Sequence, residues 1–392
     1  MFEYFPNNYT WSLAVMSALN RGGQMSEIDE ACRPLKEIAG IKALAGDPTQ
    51  QRAWFESWMK VAERVQRLGE ADEAAGHPLS AGRKYLRAGL YYLLAERMPS
   101  HKDPRRLDAY KRGIELYKRG LICRKEPVEF VEVPYTDHRG THKLPAYFMK
   151  APGCEKAPCV VHFDGLDVTK EIIYAAVGDE FRRRGVSLLI VDHPGVGAAL
   201  RLLHLPSGPD TEKPAGAAID YLETRSDVDA KRIGIMALSL GGYYAPRAAA
   251  MDGRFACCIS WGPEWDYHWK WQQRLARIER GEILSLSVPW QHLLWVFGVQ
   301  TKEEAFKKLE GFKLDGVIQK MRCPYLLVHG EGDQQAPFEH AQNMINACGS
   351  ANKHMKIFKR EEGGYHHCQV DNVTIGMAYM SDWVAEVLKA GQ

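Results

Sequence analysis

Four short segments, far apart in the chain, carry side chains suited to nucleophilic catalysis. In Arg232-Ile-Gly-Ile-Met-Ala-Leu-Ser239-Leu-Gly241-Gly242 an apolar run enters a small-x-Ser-x-Gly turn, and small residues follow at Ala245, Ala248 and Ala249. A serine on so tight a turn needs small neighbours two positions before and after it; Ala237 takes the first place, where glycine is usual. A helix starting there would aim its N-terminus at a developing oxyanion, with the Leu240 N–H as one donor. In Tyr325-Leu-Leu-Val-His-Gly330-Glu-Gly-Asp333 an apolar run ends in a glycine turn with an acid. Asp333 is the candidate to orient a base, and Glu331 is its rival. Gly363-Gly364-Tyr365-His366-His367-Cys368 offers two adjacent histidines, only one of which can face the serine. Finally, Val160-Val-His-Phe-Asp164-Gly165-Leu166-Asp167 places a glycine turn after an early apolar run. The Leu166 N–H is the candidate second oxyanion donor. Asp167 would either reach the same pocket or cap a helix starting near Thr169. The chemistry these residues would perform is attack by an activated hydroxyl on a carbonyl carbon.

Such groups need a scaffold, and the hydrophobic pattern supplies one. Residues 1–125 are helical in pattern. Trp54, Phe55, Trp58, Val61, Ala62, Val65 and Leu68 recur at spacings of three and four. Further helices are predicted over Trp11–Leu19, Ser26–Ile38 (with Ser26 as N-cap), Ser80–Glu96 and Pro104–Arg119, and no repeat of fixed period emerges. From residue 126 onward the pattern alternates. Val128–Val133 and Leu144–Met149 read as a hairpin. Short apolar runs follow at Cys159–Phe163, Ser187–Asp192, Arg232–Met236, Phe255–Trp261, Tyr325–His329 and Met355–Phe358. Apolar runs separated by helices imply a mostly parallel sheet flanked by helices on both faces. A stretch at about 264–320, rich in Trp and Arg, interrupts the alternation as a helical insertion. The expected class is α/β, with a helical cap domain at 1–125 and a catalytic domain at 126–392. The order Ser239, Asp333, histidine is that of α/β hydrolases and differs from the chymotrypsin and subtilisin orders.

Composition narrows the function further. The chain has 392 residues, 45% hydrophobic and 26% charged, with a formal net charge of +2. No basic stripe suggests nucleic acid, no apolar run approaches membrane-spanning length, and the N-terminus lacks a signal-peptide pattern. The nine cysteines are scattered, without a CxxC pair, and read as reduced thiols of a cytoplasmic protein. Asp192-His-Pro-Gly195-Val-Gly197 lacks the dinucleotide fingerprint, and the histidines form no metal-ligand set, so neither cofactor nor metal is expected. Trp261, Trp265, Tyr267, Trp269 and Trp271 form packing surface or an aromatic wall for substrate. The expected partners are a small-molecule substrate, which the tryptophans allow to be aromatic, and a second copy of the chain in a homodimer.

From about Glu126 to Gln392 the sequence resembles the prolyl-oligopeptidase-like α/β hydrolases related to 2,6-dihydroxypseudooxynicotine hydrolase. Fungal polyketide-shortening hydrolases and the bacterial fermentation-respiration switch protein are similar. The motifs that carry the resemblance are Asp164-Gly-Leu-Asp167-x-x-Lys170-Glu171, Asp192-His-Pro-Gly195-x-Gly197, Ala237-Leu-Ser239-Leu-Gly241-Gly242-Tyr243, His329-Gly-x-x-Asp333 and Gly363-Gly364-x-x-His367-Cys368. The resemblance implies that His367, and not His366, is the base. It also implies a hydrolase of a small carbonyl compound, with carbon–carbon bond hydrolysis of an aryl ketone or β-diketone as one activity and ester hydrolysis as another. The pseudooxynicotine enzyme has a glutamate, implicated in carbon–carbon cleavage, where this chain has the shorter Asp167. The switch-protein relative keeps open a non-catalytic, regulatory role on the same scaffold.

Overall fold

The computed structural model describes residues 2–6, 8–39, 48–282 and 290–391, which divide into two compact units. The first comprises Met1–Pro127 and Arg274–Trp295. Its helices are Tyr9–Asn20, Met25–Cys32, Pro48–Ala74, Pro78–Glu96 and Pro104–Cys123. The Trp54/Trp58 face is the core of this unit. The two indoles lie 5.4 Å apart, Trp11 is 5.1 Å from Trp54, and Tyr91 is 5.6 Å from Trp58. Trp54 is wholly buried, and its indole N–H donates to the Leu94 carbonyl at 2.8 Å. Pairing the one polar atom of a buried indole keeps its apolar area without a desolvation cost.

Two details differ from expectation. Gln24, not Ser26, holds the cap position of the second helix, and its side chain makes no capping bond. The helix predicted to reach Ile38 stops at Cys32. Pro34 follows within a 3₁₀ turn, Arg33–Leu35, and a short helix resumes at Lys36–Ala39. Proline has no N–H and crowds the preceding turn, which is enough to break a continuous helix.

The second unit, Val128–Gln273 and Val296–Gln392, is built on one eight-stranded sheet. Its strands are β1 Glu129–Asp137, β2 Gly140–Met149, β3 Ala157–Phe163, β4 Ser187–Val191, β5 Val228–Leu238, β6 Cys257–Trp261, β7 Tyr325–Gly330 and β8 Lys353–Phe358. Each of the eight apolar runs named above overlaps one strand, with Val128, Asp192, Phe255 and Ala256 falling just outside. The spatial order is β1-β2-β4-β3-β5-β6-β7-β8; β2 is antiparallel to both of its neighbours and every other pairing from β4 onward is parallel. Every residue of β3, β4, β6 and β7 is buried, whereas edge strand β1 alternates between buried and exposed positions. Covering helices on both faces explains the unbroken apolar runs. The chain passes from β3 to β4 on one side and then places β5 on the other side of β3. Such a reversal leaves a crevice beyond the C-terminal ends of the two strands.

The 264–320 stretch contains helices Tyr267–Glu279, Trp290–Phe297 and Lys302–Leu309, and its residues 283–289 lie outside the described residues. No helix among the described residues is long and apolar enough to cross a membrane. All nine cysteines are unpaired. Removing the Trp54 side chain should open a cavity and strand the Leu94 carbonyl. Trp54→Ala is expected to lose about 3–5 kcal/mol in urea unfolding of the full chain; a loss below about 1 kcal/mol would mean that this indole does not anchor the helical core.

Candidate active site

Ser239 sits on the turn between β5 and the helix Gly241–Met251, in the left-handed region at φ +59°. A serine there is strained, and the surroundings hold it. Its N–H donates to the Trp261 carbonyl at the end of β6 at 2.8 Å, and its own carbonyl accepts from Gly242 N–H at 2.8 Å. The small residues either side have a steric reason. A Cβ on Gly241 would lie 2.4 Å from the Ala237 Cβ, so the turn closes only because one of the two is glycine. Gly165, beyond the end of β3, approaches the same turn. A Cβ there would come 2.7 Å from the Leu238 carbonyl oxygen, 3.0 Å from the Ser239 Cβ and 3.4 Å from Leu240 N. Leu166, next in the chain, is buried at this junction, as is Leu240. The two proposed oxyanion donors thus come from segments in van der Waals contact.

His367 Nε2 lies 2.9 Å from Ser239 Oγ, and His367 Nδ1 lies 2.7 Å from Asp333 Oδ2. The imidazole that meets the serine is therefore His367. His366 packs edge-on against Tyr365, and its backbone N–H donates to Asp371 at 3.0 Å. Glu331 is exposed, with its backbone N–H on the Phe358 carbonyl, whereas the Asp333 side chain is wholly buried. The second oxygen of Asp333 accepts from the N–H groups of Gln335 at 2.7 Å and Ala336 at 3.0 Å. With Nδ1–H donating to Asp333, a neutral His367 leaves Nε2 free to accept the serine proton.

Burial opposes charge on both partners, and their mutual attraction overrides it. Burial disfavours the imidazolium, but Asp333 more than offsets this and raises the His367 pKa above its ordinary 6.5. Burial likewise disfavours the carboxylate, yet His367 holds Asp333 below the usual carboxylate range. Cys368, in the left-handed region at φ +48°, places its thiol 3.6 Å from His367 Nε2 and 3.2 Å from the Trp261 carbonyl. Gln369 accepts the Trp261 indole N–H at 2.7 Å. The loop bearing the base is thereby tied to the strand end that holds the serine.

Asp167 is half-buried, directly after Leu166. The N-cap of the next helix, Lys170–Val177, is Thr169, whose side chain makes no capping bond. The first helical N–H, that of Lys170, instead donates to Asp192 Oδ1 at 2.9 Å. Lys170 Nζ lies 2.9 Å from Asp192 Oδ2 and 2.6 Å from Glu171 Oε1, all of them buried. Asp192 Oδ2 also accepts from Ala198 N–H at 2.8 Å. This ion triad joins the segment after β3, which carries Leu166, to the segment after β4. In the sequence Lys170, Glu171 and Asp192 stand only as members of the motifs quoted above, with no task assigned to them. Among the aromatic candidates, Trp261, Tyr267 and Trp271 are buried, and Trp269 is 40% exposed and packs on His340.

Known proteins resemble the chain in sequence and in fold. The family described as the prolyl oligopeptidase family matches residues 213–391. The chain is 27% identical to 2,6-dihydropseudooxynicotine hydrolase of Paenarthrobacter nicotinovorans, over 89% of this chain and 88% of that one. It is 28% identical to 20-hydroxy-prefusarin hydrolase FUS2 of Gibberella moniliformis, over 86% and 88%. The crystal structure of the 2,6-dihydroxy-pseudo-oxynicotine hydrolase covers 96% of each chain at 26% identity, with a TM-score of 0.76. The chain is an α/β-hydrolase. This hydrolase is related to the pseudooxynicotine enzyme and to the fungal hydrolases, as its motifs imply.

The pair also sets a pH dependence for the hydrolase. Only neutral His367 can take a proton, so raising its pKa moves the rising limb of kcat/KM against pH to the alkaline side of 6.5. Asp333→Asn removes the offsetting carboxylate and leaves burial. The limb should then shift to lower pH while the plateau falls by roughly four powers of ten. Hydrolysis of an activated aryl ester across the pH range measures both; an unmoved limb would show that Asp333 does not govern the imidazole.

Proposed function

We propose that this hydrolase acts on a small carbonyl compound through Ser239, and that it cleaves the carbon–carbon bond of an aryl ketone or β-diketone. The observation that carries the reading is the hydrogen-bonded line from Asp333 through His367 to Ser239 Oγ, at 2.7 and 2.9 Å. Ser239 Oγ adds to the carbonyl carbon as its proton passes to His367 Nε2. The N–H groups of Leu166 and Leu240 receive the oxyanion. Collapse breaks the bond to the leaving carbon, which departs with the electron pair and takes up the proton of the His367 imidazolium, handed on through the Asp167 carboxyl, so that His367 is left neutral. Water then gives a proton to neutral His367 as it attacks the acyl-enzyme, and that proton passes to Ser239 Oγ as the carboxylic acid product is released. The relatives, hydrolases of 2,6-dihydropseudooxynicotine and of 20-hydroxy-prefusarin, support a small-molecule substrate.

An esterase would share every step except the protonation of carbon, because a phenolate leaves without a proton donor. Asp167 is therefore the residue that separates the two activities. Asp167→Asn should depress turnover of an aryl β-diketone by at least about a hundredfold, the scale of general acid catalysis. It should leave an activated aryl ester within about threefold of the parent rate, well inside that margin. Equal loss on both substrates would assign Asp167 a structural role. A parent enzyme that turns over only the ester would remove the carbon–carbon reading.

A further inference from the structure

A cleft of about 430 Å³ opens in the second unit, among the turn after β1, the segment after β4 and the helix Lys302–Leu309. Ser239, Leu166, Asp333 and His367 are not among its lining residues. Its wall carries a row of charges. Asp210 pairs with Lys213 at 2.9 Å, and Lys213 also feels Asp137. Asp137 pairs with Arg139 through Oδ2, with the guanidinium Nε at 3.0 Å. Arg139 and Lys308 both line the cleft, and the charge of the guanidinium acts on the ammonium. The signs alternate along the row except at its end, where two cations share the cleft.

Lys308 ends this row without an acid. Its ammonium donates to the Phe297 carbonyl at 2.5 Å, and among the described residues no carboxylate lies within ion-pair distance of it. One carbonyl satisfies one of three donors. Lys308 is half-buried, and burial together with Arg139 pushes its pKa down, the direction expected of a cation lacking its counter-charge. Three histidines, His138, His193 and His204, line the same cleft. Carboxylate and phosphate oxygens are the acceptors that match a guanidinium beside an ammonium.

We propose that the slot between Arg139 and Lys308 binds the acidic group of a small anionic ligand, at a site separate from Ser239. The ligand's shared chemistry is a carboxylate or a phosphate monoester. An acid seated there restores the alternation of charge and meets the open donors of Lys308. The cleft suits a metabolite-sized molecule. The proposal stands independently of what Ser239 does. One connection gives it consequence: the His193 ring has Nε2 3.2 Å from the Asp164 carbonyl, two residues before Leu166.

The test is isothermal titration of the full chain at low ionic strength with inorganic phosphate and, separately, succinate, using chloride to match ionic strength. At least one of the two should saturate a single site. Lys308→Met and Arg139→Gln should each weaken it at least about tenfold, as loss of one charge-assisted contact does. Lys307→Met, at a neighbouring lysine 81% exposed, should leave it unchanged, and so should Ser239→Ala. Arg139 is on an exposed turn, so its variant keeps the test valid even where Lys308→Met perturbs folding. Binding of phosphate alone would identify a phosphoryl ligand, and of succinate alone a carboxylate one. Saturable binding by neither anion, equal loss in Lys307→Met, or loss in Ser239→Ala would overturn the proposal.

Discussion

A wholly buried carboxylate at Asp333 governs the architecture around it. A buried charge is tolerated only when its lone pairs are satisfied and a counter-charge is near. One oxygen is met by two backbone N–H groups of the turn that follows, and the other by His367. A second imidazole, His329, stands 3.8 Å from the same oxygen. This ion pair ties the turn after β7 to the loop after β8, together with the Gly332 N–H on the Tyr365 carbonyl at 2.9 Å and the Tyr365 ring packed on Gly332. From there the constraint runs outward. His367 fixes Cys368 and Gln369 in left-handed conformations, these reach Trp261, and Trp261 holds the Ser239 N–H. The serine, the base and the acid come from three strand ends, yet no long lever separates them.

A second set of buried charges does the same for the other side of the crevice. Lys170, Glu171 and Asp192 sit where the β3 and β4 segments meet, and Asp192 caps the helix that Leu166 precedes. Removing one member of such a set leaves an uncompensated charge, typically about 3–5 kcal/mol. Its position suggests why polar residues occupy a place that apolar ones could fill. The segment bearing Leu166 must be held at one distance from the elbow, and directional bonds do this better than packing. Gly165, pressed on Ser239 from the same segment, is the steric counterpart of that restraint.

Much of this was readable from residue order. The strands were visible because parallel strands covered on both faces need uninterrupted apolar runs, and each run overlaps one. Ser239, Asp333 and His367 were visible because each follows a strand and carries its own turn chemistry. The choice of His367 over His366 came from the Gly363-Gly364-x-x-His-Cys resemblance; local pattern alone left it open. What could not be read depended on contacts between distant segments. Asp192 caps a helix that begins at residue 170, and no local signal announces a cap supplied from 22 residues away. Ser26 looked like a cap because its type is right, but the chain enters the helix two residues earlier. The row of charges from Asp210 to Lys308 draws on three segments and has no pattern in the chain at all.

The central claim is that Ser239 is a nucleophile activated by His367. Its most direct measurement is intact-protein mass spectrometry after exposure to a fluorophosphonate probe, with the modified peptide located by digestion. The account predicts one adduct, on Ser239, formed by the parent and by His366→Ala, and lost or greatly slowed in His367→Ala. An adduct on another residue, or undiminished labelling of Ser239 in His367→Ala, would contradict it.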